Sequence, residues 1–283
     1  MQVFQGLPSL RAILGQLSWR AVKPDWRSAA PVSATARNVM LDPSRVDAFV
    51  AVCGGPEAPR LPLTFPHAML TPLHMWLLLD KGFPFPALGI VHRAERIVRT
   101  RTIAVGTPVD VTATIDGFHE VPSGVAFSLR STLSQDGEVI WSHTTDAVRR
   151  VGAGTSRPYT GDAPHQGELE REWAVPSGTG RRYGLVSGNI DPIHMSNVSA
   201  WAFGYPHAVV HGMWTVSRTV AELGEPFGAA TLDVRFRSLL MAPSHVRVVR
   251  VGERFAVWRR NGDRPILEGV MSPVAESAPS RVS

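Results

Sequence analysis

Three features of the sequence predict an α+β fold built from a duplicated unit. First, the run from Ala68 to Leu79, carrying Met69, Leu70, Leu73, Met75, Trp76, Leu77 and Leu78, is apolar around most of its circumference and predicts a buried helix. Second, four stretches after it alternate apolar and polar residues or are rich in β-branched ones: Ala87 to Arg96, Val109 to Ile115, Gly124 to Ser131 and Glu138 to Val148. Turn signals separate them, notably Gly106-Thr-Pro108 and Gln135-Asp-Gly137, the second a hairpin. One buried helix against an antiparallel sheet is an α+β layer arrangement. Third, Phe65-Pro-His-Ala68 recurs as Tyr205-Pro-His-Ala208, each leading into the main helix of its half, which predicts an internal duplication whose copies pack as a pseudo-dimer.

In chain order, residues 1–30 read as a helical extension, because Leu7, Leu10, Ile13, Leu14 and Leu17 fall at helical spacing over residues 7–18. A first module spans 31–151. It opens with a strand from Ala34 to Met40 and a short helix from Asp42-Pro43-Ser44 to Val52, with Pro43 in its first turn. Residues 152–168 are rich in Gly, Ser, Pro, Thr and Asp and read as a linker. The second module, 169–272, repeats the order: a strand near Arg171 to Val175, a helical turn from Ser177 to Val186, a loop at 187–194 and a helix at 211–223. Four strands follow, at Thr231 to Phe236, Ser244 to Val251, Arg254 to Arg260 and Ile266 to Met271. Residues 273–283 read as a disordered tail.

Composition narrows the function. The chain has 283 residues, 44% of them apolar, enough for two modules with real cores. No apolar run is long enough to cross a bilayer and residues 1–30 lack the pattern of a signal peptide, so a cytoplasmic protein is expected. Cys53 is the single cysteine, which excludes an internal disulfide and any cysteine-based metal cluster. The net charge of +5 comes almost wholly from arginines scattered through predicted strands, without stacked aromatics or a helix-turn-helix pattern. Nucleic acid is therefore not the expected partner, whereas coenzyme A or an acidic acyl carrier protein fits the charge.

The chemistry concentrates between Tyr183 and Gly212. Gly188, Asn189, Asp191 and Pro192 interrupt any helix and predict a polar loop. Gly212 stands where Met213, Val216, Val220 and Leu223 take up helical spacing, with Gly224 as a stop, so a helix starts near His211. The free N–H groups of that helix start suit a developing negative charge. His194 is the strongest acid/base candidate, since imidazole titrates near neutral pH. Asn189 holds water by hydrogen bonds but accepts no proton at pH 7. Asp191, two residues on, either reaches the same water or caps the turn before Pro192. Ser187 lacks the glycine-flanked elbow of a hydrolase nucleophile and, with Tyr183, reads as a residue that holds the loop. His194, His207 and His211 lack a carboxylate at ligand spacing, so no metal is expected; His207, repeated as His67, reads as a packing residue in both copies.

Ser187-Gly-Asn-Ile-Asp-Pro-Ile-His194 followed by His211-Gly-Met213 resembles the signature of the MaoC-like, R-specific hydratase and dehydratase family, Ser-Gly-Asp-x-Asn-Pro-Ile-His with a His-Gly-Met helix start. The aspartate and asparagine of that signature are exchanged here, as Asn189 and Asp191. Leu61 to Met69 and Phe83 to His92 are similar to two-module actinobacterial members, so the resemblance covers roughly residues 32 to 272. It implies a double hotdog fold and reversible hydration of trans-2-enoyl thioesters to (3R)-hydroxyacyl thioesters, without metal or redox cofactor. It also implies His194 as acid/base, Asn189 or Asp191 as its partner at the water, and Gly212 as the carbonyl stabiliser. Ser187, Gly188, Tyr183, His211 and Met213 would line the substrate site. At the 140-residue offset Thr71 and Pro72 fall where the second half has His211 and Gly212, and proline has no N–H to offer, so the first module would supply wall and acyl pocket. The alternatives are an acyl-thioester-binding protein or non-catalytic subunit, and a thioesterase. Whether the chain pairs again as a homodimer stays open.

Overall fold

The computed structural model describes residues 2–14, 25–56, 60–87, 89–150 and 159–274. In the first half it runs β1 (Gln2–Gln5), α1 (Leu10–Leu14), β2 (Val32–Met40), α2 (Pro43–Cys53), α3 (Phe65–Leu79), β3 (Ile90–Arg99), β4 (Pro108–Val121), β5 (Gly124–Gln135) and β6 (Glu138–Arg150). The second half runs β7 (Leu169–Val175), α4 (Thr179–Ser187), α5 (Pro192–Met195), α6 (Asn197–Trp201), α7 (Gly212–Leu223), β8 (Ala230–Phe236), β9 (Ser244–Val251), β10 (Arg254–Arg259) and β11 (Pro265–Pro273).

The eleven strands among the described residues form one sheet in the order β1-β2-β4-β5-β6-β3-β8-β11-β10-β9-β7. Outward from the β3–β8 seam each half repeats the same succession, so β6, β5, β4 and β2 mirror β11, β10, β9 and β7. This is a double hotdog: two tandem units, each with its main helix, α3 or α7, against its own half of the sheet. The sequence-predicted duplication is thus a pseudo-twofold about the seam, where Ala94 to Arg99 pair antiparallel with Arg235 to Ala230.

Local chemistry accounts for most of the elements. The α2 helix starts where the Asp42 carboxylate accepts from the Ser44 N–H at 2.9 Å. The β5–β6 hairpin turns through Asp136 and Gly137, both with positive φ (52° and 81°), the conformation a two-residue turn demands. The α3 helix is buried along nearly its whole length, as its composition requires, and buries His67, Thr71 and His74 among the apolar residues.

Several expectations are revised. Gln2–Gln5 is a strand, pairing parallel with β2, with the Phe4 ring packed edge-on against Trp76 at 4.9 Å; of the helix expected over residues 7–18, α1 is described at Leu10–Leu14, and residues 15–18 lie outside the described residues. The two Pro-His-Ala motifs sit differently: Phe65 to Ala68 form the first turn of α3, whereas Tyr205 to Ala208 precede α7, which begins at Gly212. The latter part of the Gly- and Pro-rich stretch packs on the sheet, with Tyr159 donating to Glu268 and the Trp258 Nε1–H to Pro164 O at 2.8 Å. At the other end β11 runs to Pro273 and Val274 N donates to Ala229 O; the remainder of the tail lies outside the described residues.

The seam is tied by two ion pairs of different kind. Arg96 and Asp233, in register across β3 and β8, pair at 2.6 Å on the exposed face. On the buried face the Arg99 guanidinium meets Glu225 at 2.9 Å, with each side chain 4% exposed, and also donates to Gly228 O and Pro226 O. Glu225 in turn accepts from Leu63 N at 2.9 Å, which joins the α7–β8 connection to the start of α3. Removing one member leaves a buried charge without its counter-ion, so Glu225→Gln is expected to lower unfolding stability by roughly 3–5 kcal/mol. Urea denaturation measures it, with Asp233→Asn, on the exposed face, expected to cost about 1 kcal/mol or less.

Candidate active site

The segment from Ser187 to His194 is held by successive side-chain-to-backbone turns. Helix α4 ends at Gly188, whose φ of 82° is the left-handed cap conformation and whose N–H donates to Gly184 O at 2.8 Å. The Ser187 hydroxyl, buried, accepts from Asn189 N; the Asn189 amide oxygen accepts from Asp191 N; the Asp191 carboxylate accepts from Ile193 N. Residues 187–194 are therefore not loop throughout. Asp191 caps the short helix α5, with Pro192 in its first turn.

This chain of turns sets His194 against the start of α7. Its Nδ1 donates to Val209 O at 2.8 Å, and since a carbonyl only accepts, the neutral ring keeps its lone pair on Nε2. The His211 ring stacks on it with centroids 3.6 Å apart, and His211 Nε2 donates to Asn189 O at 3.0 Å. Burial lowers the His194 pKa, against the opposing effects of the Val209 hydrogen bond and the Asp191 charge. Burial lowers that of His211 further, with His194 beside it. Both rings are neutral bases at pH 7.

Two glycines of α4 let the segment come this close. A Cβ on Gly180 would stand 2.5 Å from His194 O and 3.1 Å from Val209 O, and one on Gly184 would stand 2.7 Å from Asn189 O. Gly212, the first residue of α7, is covered by the Phe236 ring, whose edge would lie 2.9 Å from a Cβ there. The first N–H groups of α7 have no partner within the helix.

Of the candidates read from sequence, the structure brings Asn189, Asp191, His194, His211 and Gly212 together. Tyr183 and Met213 are core residues instead: Tyr183 is buried with its ring 5.0 Å from His211 and 6.3 Å from Phe49, and Met213 is 3% exposed. Ser187 and Gly188 shape the turn. His207 is exposed and does not share the packing of His67, because the Tyr205-Pro-His motif lies outside the helix in this half.

Sequence reasoning missed a second cluster, inside the first module. Glu95 on β3 faces inward and is 1% exposed; its Oε1 accepts from the Thr145 hydroxyl at 2.6 Å and lies 3.5 Å from His67 Nε2 and 3.6 Å from His92 Nδ1. His143 donates from Nε2 to Thr145 and stacks on His74 and Trp141. Burial pushes the pKa of Glu95 well up and those of His67 and His143 well down, His74 to about 3 and His92 to about 4. The signal available in the sequence was the strand register: Glu95 alternates with Ile97 and Arg99 on the inward face. His67, Glu95 and His143 bring donor atoms within 4.8 Å of one another, the spacing of a metal site. Yet Nδ1 of both histidines is buried without a protein acceptor, the contact that orients a ligating imidazole. The arrangement fits a mutual hydrogen-bonding cluster better than a metal centre.

Comparison with known proteins agrees with the fold. Residues 162–264 match the family described as MaoC like domain. The chain is 29% identical over 239 residues to 3-hydroxyacyl-thioester dehydratase X of Mycobacterium tuberculosis, covering 83% of this chain and 84% of that one. A crystal structure of that protein, HtdX, superposes with a TM-score of 0.75 at 24% identity, covering 86% of this chain and all of the other. A MaoC-like dehydratase from Phytophthora capsici superposes with a TM-score of 0.63 at 14% identity, covering 87% of this chain and 96% of its own. No helix among the described residues is long and apolar enough to cross a membrane.

Two tests follow from the local geometry. Gly180→Ala forces a Cβ against two carbonyl oxygens and should cost about 1–3 kcal/mol while displacing His194, seen as lower stability together with lost His194–Val209 contact in a crystal structure. The five imidazoles held neutral by burial (His67, His74, His143, His194 and His211) have folded pKa values below the unfolded 6.5. Their contribution is fully present above pH 6.5 and is lost as pH falls, because the unfolded chain then binds protons that the folded one refuses. The melting temperature should accordingly drop steeply between pH 6.5 and 4.5, measured by calorimetry.

Proposed function

We propose that the protein interconverts trans-2-enoyl and (3R)-hydroxyacyl thioesters carried on coenzyme A or acyl carrier protein, in fatty acid or related acyl metabolism. The observation that carries the reading is the His194 tautomer. With Nδ1–H committed to Val209 O, the Nε2 lone pair is available beside the helix start at Gly212. In the hydration direction Nε2 takes a proton from water as its oxygen bonds to C3. The thioester oxygen, gaining charge, is met by the Gly212 N–H and the positive end of α7. His211 keeps the ring of His194 in place through its stack and through Asn189 O. The similarity to a 3-hydroxyacyl-thioester dehydratase over most of both chains supports the same reaction class.

Asn189 and Asp191 do not carry proton transfer in this reading, since both side chains accept hydrogen bonds from the turn's own backbone. Absorbance of short- and medium-chain trans-2-enoyl-CoA, followed with free thiol, tests the proposal. Loss of absorbance without thiol release is expected; thiol release would make the protein a thioesterase, and binding without either signal an acyl-binding protein. His194→Ala should lower kcat by about 10²–10⁴-fold with the fold intact. Because burial lowers the His194 pKa, the acid limb of kcat/KM should fall below pH 6.5, with activity sustained through that value.

A further inference from the structure

The proposed reaction needs a second proton-transferring group. If His194 keeps the proton of water, another group delivers one to C2, and the position that holds a carboxylate in the family signature is Asn189, whose amide oxygen is bound to Asp191 N. The first module places an ionisable pair at the same corner. His92, at the start of β3, lies with its ring 6.2 Å from that of Phe236, and Phe236 is the residue that covers Gly212. His92 is also close enough to His194 and His211 for each to disfavour its protonated form or be disfavoured by it. Its side chain is 38% exposed, whereas the Glu95 behind it is fully enclosed. The His92 Nδ1 faces Glu95 Oε1 at 3.6 Å, which leaves the other ring nitrogen, Nε2, not engaged with Glu95.

We propose that His92, backed by Glu95, is the proton donor to C2, replacing from the first module the carboxylate that is missing at position 189. This rests on the hydratase reading above. Glu95 carries a proton on Oε1, accepts from Thr145 on the same oxygen, and donates to His92 Nδ1; His92 then bears its own proton on Nε2. As water adds to C3 and gives a proton to His194, the C2 carbanion equivalent takes the Nε2 proton of His92, and His92 takes the Glu95 proton at Nδ1. One proton has left water for His194 and one has left Glu95, through His92, for C2. Transfer of the His194 proton back to Glu95 through solvent and His92 restores the starting state. The 3.6 Å separation is slightly beyond hydrogen-bond length and closes when substrate excludes water, as catalytic contacts often tighten only in the complex. In this scheme His92 touches substrate, and Glu95 is a positioning and proton-supplying residue that acts through it. His67 and His143, held at 3.5 and 3.8 Å from the same carboxyl, keep Glu95 in place.

The experiment uses the full chain with trans-2-enoyl-CoA. His92→Gln and His92→Asn should each lower kcat at least about 100-fold with KM little changed, and melting temperature near that of wild type confirms that the fold survives. Adding Asn189→Asp to His92→Gln should recover a substantial part of the lost rate, since a carboxylate then returns to the motif. Glu95→Gln, which cannot release a proton, should abolish the basic limb of the kcat/KM profile, an effect that loosened packing alone would not produce. His92→Gln and His92→Asn retaining kcat within about threefold while His194→Ala is inactive would overturn the inference and leave the hydratase reading standing. Absence of enoyl-CoA turnover by the wild type would overturn both.

Discussion

The molecule depends on the antiparallel pairing of β3 with β8. Each half alone is an open sheet wrapped on one helix, with a strand edge that exposes unpaired backbone groups. Joining the two edges turns ten strands of two modules into one sheet and brings the start of each main helix toward the other module. The buried Arg99–Glu225 pair lies at this seam, and its carbonyl partners come from the α7–β8 connection. Everything at the candidate site is referred to that seam: Phe236 ends β8, His92 starts β3, and the corner between them receives the turn that carries His194.

Electrostatically the corner carries one carboxylate, Asp191 at the cap of α5, beside neutral imidazoles. The imidazoles around it are deprived of water and kept neutral, and their tautomers are dictated by backbone carbonyls, Val209 O for His194 and Asn189 O for His211. Small residues make that possible. A helix such as α4 accepts a polar turn against its side only where the side chain is absent, and Gly180 and Gly184, one turn apart, provide the opening. The turn residues then spend their own side chains on neighbouring N–H groups, so the geometry of the segment is set locally and the reactive ring is set by what it donates to.

Much of this was legible in the sequence. Helical and strand periodicity placed α2, α3, α7 and nearly every strand, because burial on one face imposes the pattern directly. The helix start at Gly212 and the turn at Gly188 were readable from residue types that few other conformations favour. What periodicity conceals is the partner of an inward polar residue. Glu95 and Arg99 occupy equivalent inward positions of β3, yet one meets histidines from α3 and β6 and the other meets Glu225 from the far module, and no local pattern distinguishes them. The short helix α5 was hidden for a related reason: four residues are too few for a period, and only the Asp191 cap reveals it. The Pro-His-Ala repeat signalled the duplication correctly but not its divergence, since the same three residues lie inside α3 in one copy and ahead of α7 in the other.

The pseudo-twofold itself has a consequence for how such a site can change. In a dimer of identical chains any substitution occurs twice, so a residue useful in one subunit's core must also be tolerated at its mirror position. Here the two copies share one chain, and that coupling is released. A carboxyl with three histidines around it can fill the interior of one module while the mirrored interior, behind α7, buries Val216, Val220 and Leu223. Proline can stand at residue 72 of the first helix where the second requires glycine at 212. Covalent fusion thus removes the need for symmetry while keeping the sheet that symmetry built, and each copy is left to specialise at its own pace.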